Sequence, residues 1–295
     1  CGYHGWHDWY LAANLSNSKS LDNQLLKGLK TKGVSKSHKD SIFSFDYNDF
    51  ASLEKIVSKH KKNLGIIIME PMRAVEPKKK FLEKIREISK KNNIVLIFDE
   101  ITSGFHDKYG GIHLKYKINP DIAIFGKSLG NGYPISSIIG KKKIMNTAQD
   151  SFISSTMWTD KIGFVAASKT LEILKKQKIN KKISSQGKII KKTWYEISRK
   201  YSVPIEIFGQ DSMPGFKFIH KKNLEISTFF TQEMLKKKFL ASTTITITAA
   251  YDNAIINKYL KAFELIFNKI NFCILNNKFP LEGPIKHSTF QRLTG

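Results

Sequence analysis

Cysteine is nearly absent from this chain: Cys1 and Cys273 are two in 295 residues, too few for a disulfide framework or a cysteine zinc site. That usage implies a reducing compartment, so a cytoplasmic location is expected. No uninterrupted apolar run approaches the roughly 18 residues of a membrane-spanning helix, and no membrane partner is expected. No internal repeat and no low-complexity linker divides the chain. Acid is the scarce charge, with 25 Asp and Glu against 49 Lys and Arg and a formal net charge of +24. Such a balance raises nucleic acid as a partner. The lysines, however, fall in scattered twos and threes, as in Lys78-Lys79-Lys80, Lys141-Lys142-Lys143, Lys191-Lys192 and Lys236-Lys237-Lys238. Scattered in turns and on polar faces, they read as a solvated surface, and no nucleic-acid partner is expected.

What is present is an ordinary globular composition, 41% hydrophobic and 25% charged, long enough for one large or two modest domains. Two short apolar runs organise it. Ile94 to Phe98 ends in Asp99-Glu100, and Asp121 to Phe125 leads into Gly126-Lys127-Ser128-Leu129-Gly130-Asn131-Gly132. Both are predicted to be buried parallel strands. Ligands of open α/β sheets sit at the carboxyl ends of strands, so Asp99 and Lys127 are delivered to one edge and suggest one site. A carboxylate that keeps a ring nitrogen protonated and an amine that holds an aldehyde as a Schiff base are what a pyridoxal cofactor needs.

The surrounding pattern supports an α/β chain. Phe50, Leu53, Ile56 and Val57 have helical spacing behind an Asn48 or Asp49 cap. A strand over Leu64 to Met69 ends in Glu70-Pro71. Phe81, Leu82, Ile85 and Ile88 repeat at helical period up to Asn92-Asn93, which makes one right-handed strand, helix, strand unit with the run ending at Asp99. Gly104, Gly110 and Gly111 suit a loop over the active edge. Ile135 to Ile139 reads as a further strand and Thr159 to Lys175 as a long helix. Residues 15 to 40, polar and rich in Ser, Asn and Lys, read as a surface excursion. From about 180 the texture turns to α+β: a basic helix through Tyr201, strands at Ile205 to Phe208 and Phe216 to His220, a helix at Leu224 to Lys238, a β-branched strand at Thr243 to Thr248 and a last helix at Asn253 to Ile270. The opening Cys1 to Trp9 reads as a turn capped by packed aromatics; its His4, His7 and Asp8 have no further cluster to make a metal site, and no metal is expected. A chain that begins at Cys1 rather than Met is expected to be a piece of a longer protein.

The chain resembles the class III pyridoxal-phosphate aminotransferases of fold type I, within them the glutamate-1-semialdehyde 2,1-aminomutase branch. The resemblance runs through Tyr3-His4-Gly5, Glu70-Pro71, Phe98-Asp99-Glu100-Ile101-Thr102-Ser103-Gly104-Phe105, Phe125-Gly126-Lys127-Ser128-Leu129-Gly130-Asn131-Gly132-Tyr133-Pro134 and Ser155-Thr156. It implies a large domain over 1–178, mainly parallel sheet flanked by helices, and a smaller α+β domain over 179–295. It implies Lys127 as the catalytic Schiff-base lysine and proton carrier, Asp99 on the pyridine nitrogen, and Tyr3 lying on the cofactor ring with His4 beside it. Thr102 falls near the cofactor's phenolic oxygen and Glu70 on the substrate side. Thr156 matches a residue that reaches the phosphate of the partner subunit, so a homodimer with a shared active site is implied, acting on a small amine and an aldehyde or keto substrate. The family's main phosphate-binding loop is expected ahead of residue 1. Met157-Trp158-Thr159-Asp160 departs from the family pattern of small residues and Asn-Pro, and His106 stands where arginine is frequent. No arginine near Thr243 to Asp252 offers a carboxylate clamp, which favours the aminomutase branch or an amino-sugar transaminase of a surface-polysaccharide pathway. A truncated relative that keeps the fold without catalysis is the alternative.

Overall fold

The computed structural model describes residues 3–5, 8–24 and 27–287. Cys1, His7 and Arg292, and the side chain of Asp8, lie outside what is described. The described residues form two compact units, one through Gln177 and one over residues 178–287.

The first unit is built on a four-stranded sheet in the order β1 (Ile66–Met69), β2 (Val95–Asp99), β3 (Ile122–Phe125) and β4 (Ser137–Gly140). The first three strands are parallel, and β4 runs antiparallel to β3. Helix α1 (Asp8–Ser16) precedes the sheet. Helix α2 (Phe50–His60) starts where the Asp49 carboxylate accepts the Ser52 N–H. Helix α3 (Phe81–Lys91) carries the crossover from β1 to β2 and ends at Asn92, with Asn93 in the left-handed region at φ +53°. Its apolar stripe, Phe81, Leu82 and Ile85, packs with Leu53 and Val57 of α2 onto Ile67, Met69, Leu96 and Phe98 of the sheet. Each such side chain contributes roughly 1.5–3 kcal/mol of burial.

A polar knot holds the frame. Asp121, before β3, accepts from Arg86 of α3 at 2.8 Å, from the Leu96 N–H of β2 at 2.9 Å and from Lys141 beyond β4 at 2.7 Å. Burial opposes its charge, but these three donors outweigh burial and hold its carboxyl below the usual range. The stretch 15–40 departs from a simple surface excursion. Leu21 and Leu29 are buried against Tyr10 and Ala13 of α1, because Asn14 donates to the Leu29 carbonyl and accepts the Leu21 N–H. The sheet is followed by the short helix α5 (Lys142–Met145) and by α6 (Lys161–Lys176), whose Ala167 and Leu171 close over Phe125 and Leu129.

In the second unit, α7 (Ile179–Lys200), α8 (Asn223–Lys236) and α9 (Asn253–Leu275) enclose an antiparallel pair, β5 (Ile205–Phe208) and β6 (Gly215–Phe218). Its core is aromatic: Trp194, Phe216, Phe230, Phe263 and Phe267 are essentially inaccessible, with Trp194 and Phe263 stacked at 5.6 Å. The expected strand at Thr243 to Thr248 does not form. Only Thr244 bridges to Gly215, although the Thr243 carbonyl accepts the Phe216 N–H and the N–H groups of Ile245 and Ile247 donate to the Pro214 and Ser212 carbonyls. Pro214 has no N–H to return, which interrupts the ladder.

Candidate active site

The carboxyl ends of β1, β2 and β3 define the site. Pairing of Met69 with Phe98 and of Asp99 with Ile124 sets Glu70 and Asp99 abreast and puts the Gly126-Lys127 turn next to them. Asp99 is 5% exposed. Its Oδ2 lies 2.7 Å from His4 Nδ1 and its Oδ1 accepts the Ile101 N–H at 3.0 Å. A carboxylate has room for further donors beyond these two, so Asp99 remains able to accept another N–H. The His4 ring lies nearly parallel to Trp9, with 16° between the planes. Tyr3 stands edge-on to Tyr10 at 6.2 Å.

Lys127 begins a single 3-10 turn, Lys127–Leu129, with its backbone at φ +44°. For a residue other than glycine this left-handed conformation carries strain, and such positions concentrate at functional sites. Buried Leu129 anchors the turn from below while the Lys127 side chain is exposed. Its Nζ donates to Thr102 Oγ1 at 2.7 Å. Thr102 is three residues beyond Asp99, so one short hydroxyl bridge joins the amine to the acid-bearing loop.

That loop is rigidly held by Glu100, a residue to which the sequence reading gave no role. Fully buried, it accepts the Ser103 hydroxyl, the N–H groups of Ile112 and His113, and pairs with His113 Nδ1 at 2.8 Å, where α4 (His113–Tyr116) starts. Gly104 is required here: a Cβ would fall 2.7 Å from the Glu100 carbonyl and from the Phe125 ring. A second pairing that sequence reasoning missed joins Ser128 Oγ to His106 Nε2 at 2.8 Å. No sequence pattern announces it, because it depends on the path of the loop.

Glu70 is 3% exposed, its Oε2 without a hydrogen-bond partner and its Oε1 3.5 Å from Arg73 Nη1. Burial pushes its carboxyl up to about 7, against the opposing pull of Arg73 and with a further push from Asp99. Thr156 is exposed in a turn at 156–159. Around it Phe152, Ile153, Met157 and Trp158 are exposed as well, Phe152 almost completely at 99%. Among the described residues no group of three or more His, Cys, Asp and Glu side chains forms a metal site.

The aminotransferase class-III family model matches residues 2–254. The chain is 33% identical over 224 residues to a 3-aminobutyryl-CoA aminotransferase of Cloacimonas acidaminovorans, covering 74% of this chain and 50% of that protein. It is 27% identical over 286 residues to a glutamate-1-semialdehyde 2,1-aminomutase of Methanocaldococcus jannaschii, covering 90% of this chain and 66% of that one. The chain thus spans half to two thirds of the length of these curated relatives. Among solved structures, an omega-transaminase from Sphaerobacter thermophilus superimposes with a TM-score of 0.77 at 19% identity, over 91% of this chain and 67% of that one.

Proposed function

The chain belongs to the class-III aminotransferase family, and from that premise we propose that it binds pyridoxal 5'-phosphate and transfers an amino group. The residues present fit the cofactor at two ends: Asp99 is a buried carboxylate with accepting capacity left, and Lys127 is an exposed amine held in reach on a hydroxyl. When bound, the cofactor supplies an electron sink that stabilises negative charge on the substrate carbon next to nitrogen. Asp99 would keep the cofactor's ring nitrogen protonated, and His4 holds the Asp99 carboxylate in place at 2.7 Å. Lys127 would hold the cofactor's aldehyde end, and its amine is the group that would carry a proton to or from the substrate carbon. Thr102 positions the Lys127 amine, Tyr3 would cover the cofactor ring, and Glu70 would face the substrate.

The observation that carries this reading is the 2.7 Å bond from Lys127 Nζ to Thr102, which ties the amine to the loop that starts at Asp99. Incubation with pyridoxal phosphate, borohydride reduction and peptide mass analysis is expected to place the cofactor on Lys127, with no incorporation in Lys127→Ala. A wild-type protein that fixes no cofactor sinks the reading. The substrate is a small amine with an aldehyde or keto partner. The relatives direct the screen: conversion of glutamate semialdehyde to 5-aminolevulinate first, then transfer from 3-aminobutyryl-CoA.

Residues 1–178 act as the cofactor-binding domain and 179–295 as the smaller domain in this reading, in a cytoplasmic enzyme suited by its cysteine usage to a reducing compartment. A homodimer is part of it. The exposed Phe152, Ile153, Met157 and Trp158 surround Thr156, and an apolar cluster of this kind is what a partner subunit covers.

A further inference from the structure

The loop from Ile101 to Ile112 grips the Lys127 turn at three points. Thr102 accepts the Lys127 ammonium group, the Phe105 ring rests on Phe125 at 5.2 Å, and His106 meets Ser128 at 2.8 Å. The loop is fixed before it arrives: Glu100 clamps its two ends, Phe105 N–H donates to the Gly110 carbonyl at 2.7 Å, and Phe105 itself sits in the left-handed region at φ +62°. His106 therefore reaches Ser128 from a rigid base, and Ser128 is the residue that follows the strained Lys127.

We propose that His106 is a positioning residue for Lys127, its ring holding the Lys127–Leu129 turn in place through the Ser128 hydroxyl. This rests on the reading of Lys127 as the cofactor-bearing amine. The ring is suited to the task. Burial keeps it below its ordinary value and therefore neutral near pH 7; Asp107 on its own loop opposes that effect, and Lys127 on the turn reinforces it. A neutral ring has one nitrogen able to accept and one able to donate, whereas a charged ring has two donors and would place a second positive charge behind Lys127. Protonation of His106 thus alters both the bond to Ser128 and the charge facing the amine.

Two measurements on the full chain test this. The first uses protein without cofactor: the His106 ring is titrated by NMR in the wild type and in Lys127→Met. Removal of the lysine charge is expected to raise the His106 midpoint by roughly half a pH unit. An unchanged midpoint overturns the pairing, whatever the cofactor does. The second follows the rate at which borohydride fixes pyridoxal phosphate to Lys127. His106→Ala and Ser128→Ala are each expected to slow fixation about fivefold, the equivalent of one neutral hydrogen bond. His106→Gln, which keeps a neutral hydrogen-bonding group near the Nε2 position, is expected to restore the rate and to remove the additional loss that protonation of His106 causes as pH falls. Circular dichroism establishes that each variant is folded. Equal rates in His106→Ala and the wild type overturn the proposal, as does a Gln variant no better than Ala. Absence of fixation in the wild type defeats the cofactor reading instead and leaves the titration result standing.

Discussion

Glu70 sits in an environment at odds with its charge. Its raised value means that the folded chain binds this proton more tightly than the unfolded chain does. Its neutral form is therefore favoured in the fold, and stability is lost as pH rises from about 4.5 through about 7. Glu70→Gln is expected to gain on the order of 2 kcal/mol over the wild type at pH 8 and little or nothing at pH 4, read from urea midpoints at the two values. Glu233 runs the other way. Burial alone would raise it, but Lys236 at 2.8 Å and Lys269 at 2.6 Å hold its carboxyl at about 2. Its contribution is full above the ordinary carboxylate value and lost as pH falls from about 4.5 to about 2, so Glu233→Gln is expected to destabilise at pH 7 and to match the wild type near pH 2. Circular dichroism melts across that range check it. Neither environment is legible in the sequence, since Glu70 and Glu233 look alike until their neighbours are known.

At the scale of elements, α7 and the turn after β5 approach as closely as backbone permits. A Cβ on Gly187 would fall 1.5 Å from the Asp211 carbonyl oxygen. Gly187→Ala is expected to force the two apart and cost about 1–3 kcal/mol, measured as a lowered denaturation midpoint with native helix content below it. The strands and helices themselves follow from apolar spacing. The runs ending at Phe98 and Phe125 are read as strands because burial on both faces removes polar residues from them, and α2 and α3 because one face alone is apolar. Thr243 to Thr248 has strand composition without becoming a strand, since its partner segment contains Pro214. Composition reports what a segment prefers, and only the partner decides whether its hydrogen bonds are returned.

For the whole molecule, the exposed apolar side chains around Thr156 and the +24 charge make separate predictions. In the proposed homodimer these side chains form the covered surface, so Trp158→Glu is expected to shift the protein towards monomer in sedimentation experiments, with the secondary structure unchanged, because a charge placed in an apolar contact is costly to bury. The basic surface is expected to bind DNA weakly and without sequence preference, and to release it at moderate salt, as dispersed lysines do. Binding that persists at high salt would call for a dedicated groove.

From sequence alone came the family, the alternation of strands and helices, and the placing of Asp99 and Lys127 at strand ends. The family came from the resemblance of its motifs to known ones, and the elements and strand ends from periodicity and local patterns of neighbouring residues, all of them one-dimensional signals. The tertiary structure alone decided what those two residues touch. The His4 ring on Asp99, the Thr102 hydroxyl under the Lys127 amine, the unpartnered oxygen of Glu70 and the Ser128 bond to His106 all join positions far apart in the chain or placed by a loop. The loop takes its path because Glu100, buried among donors from residues 103 to 113, needs all of them to offset its desolvation. That requirement is met in three dimensions and leaves no periodic trace in the sequence.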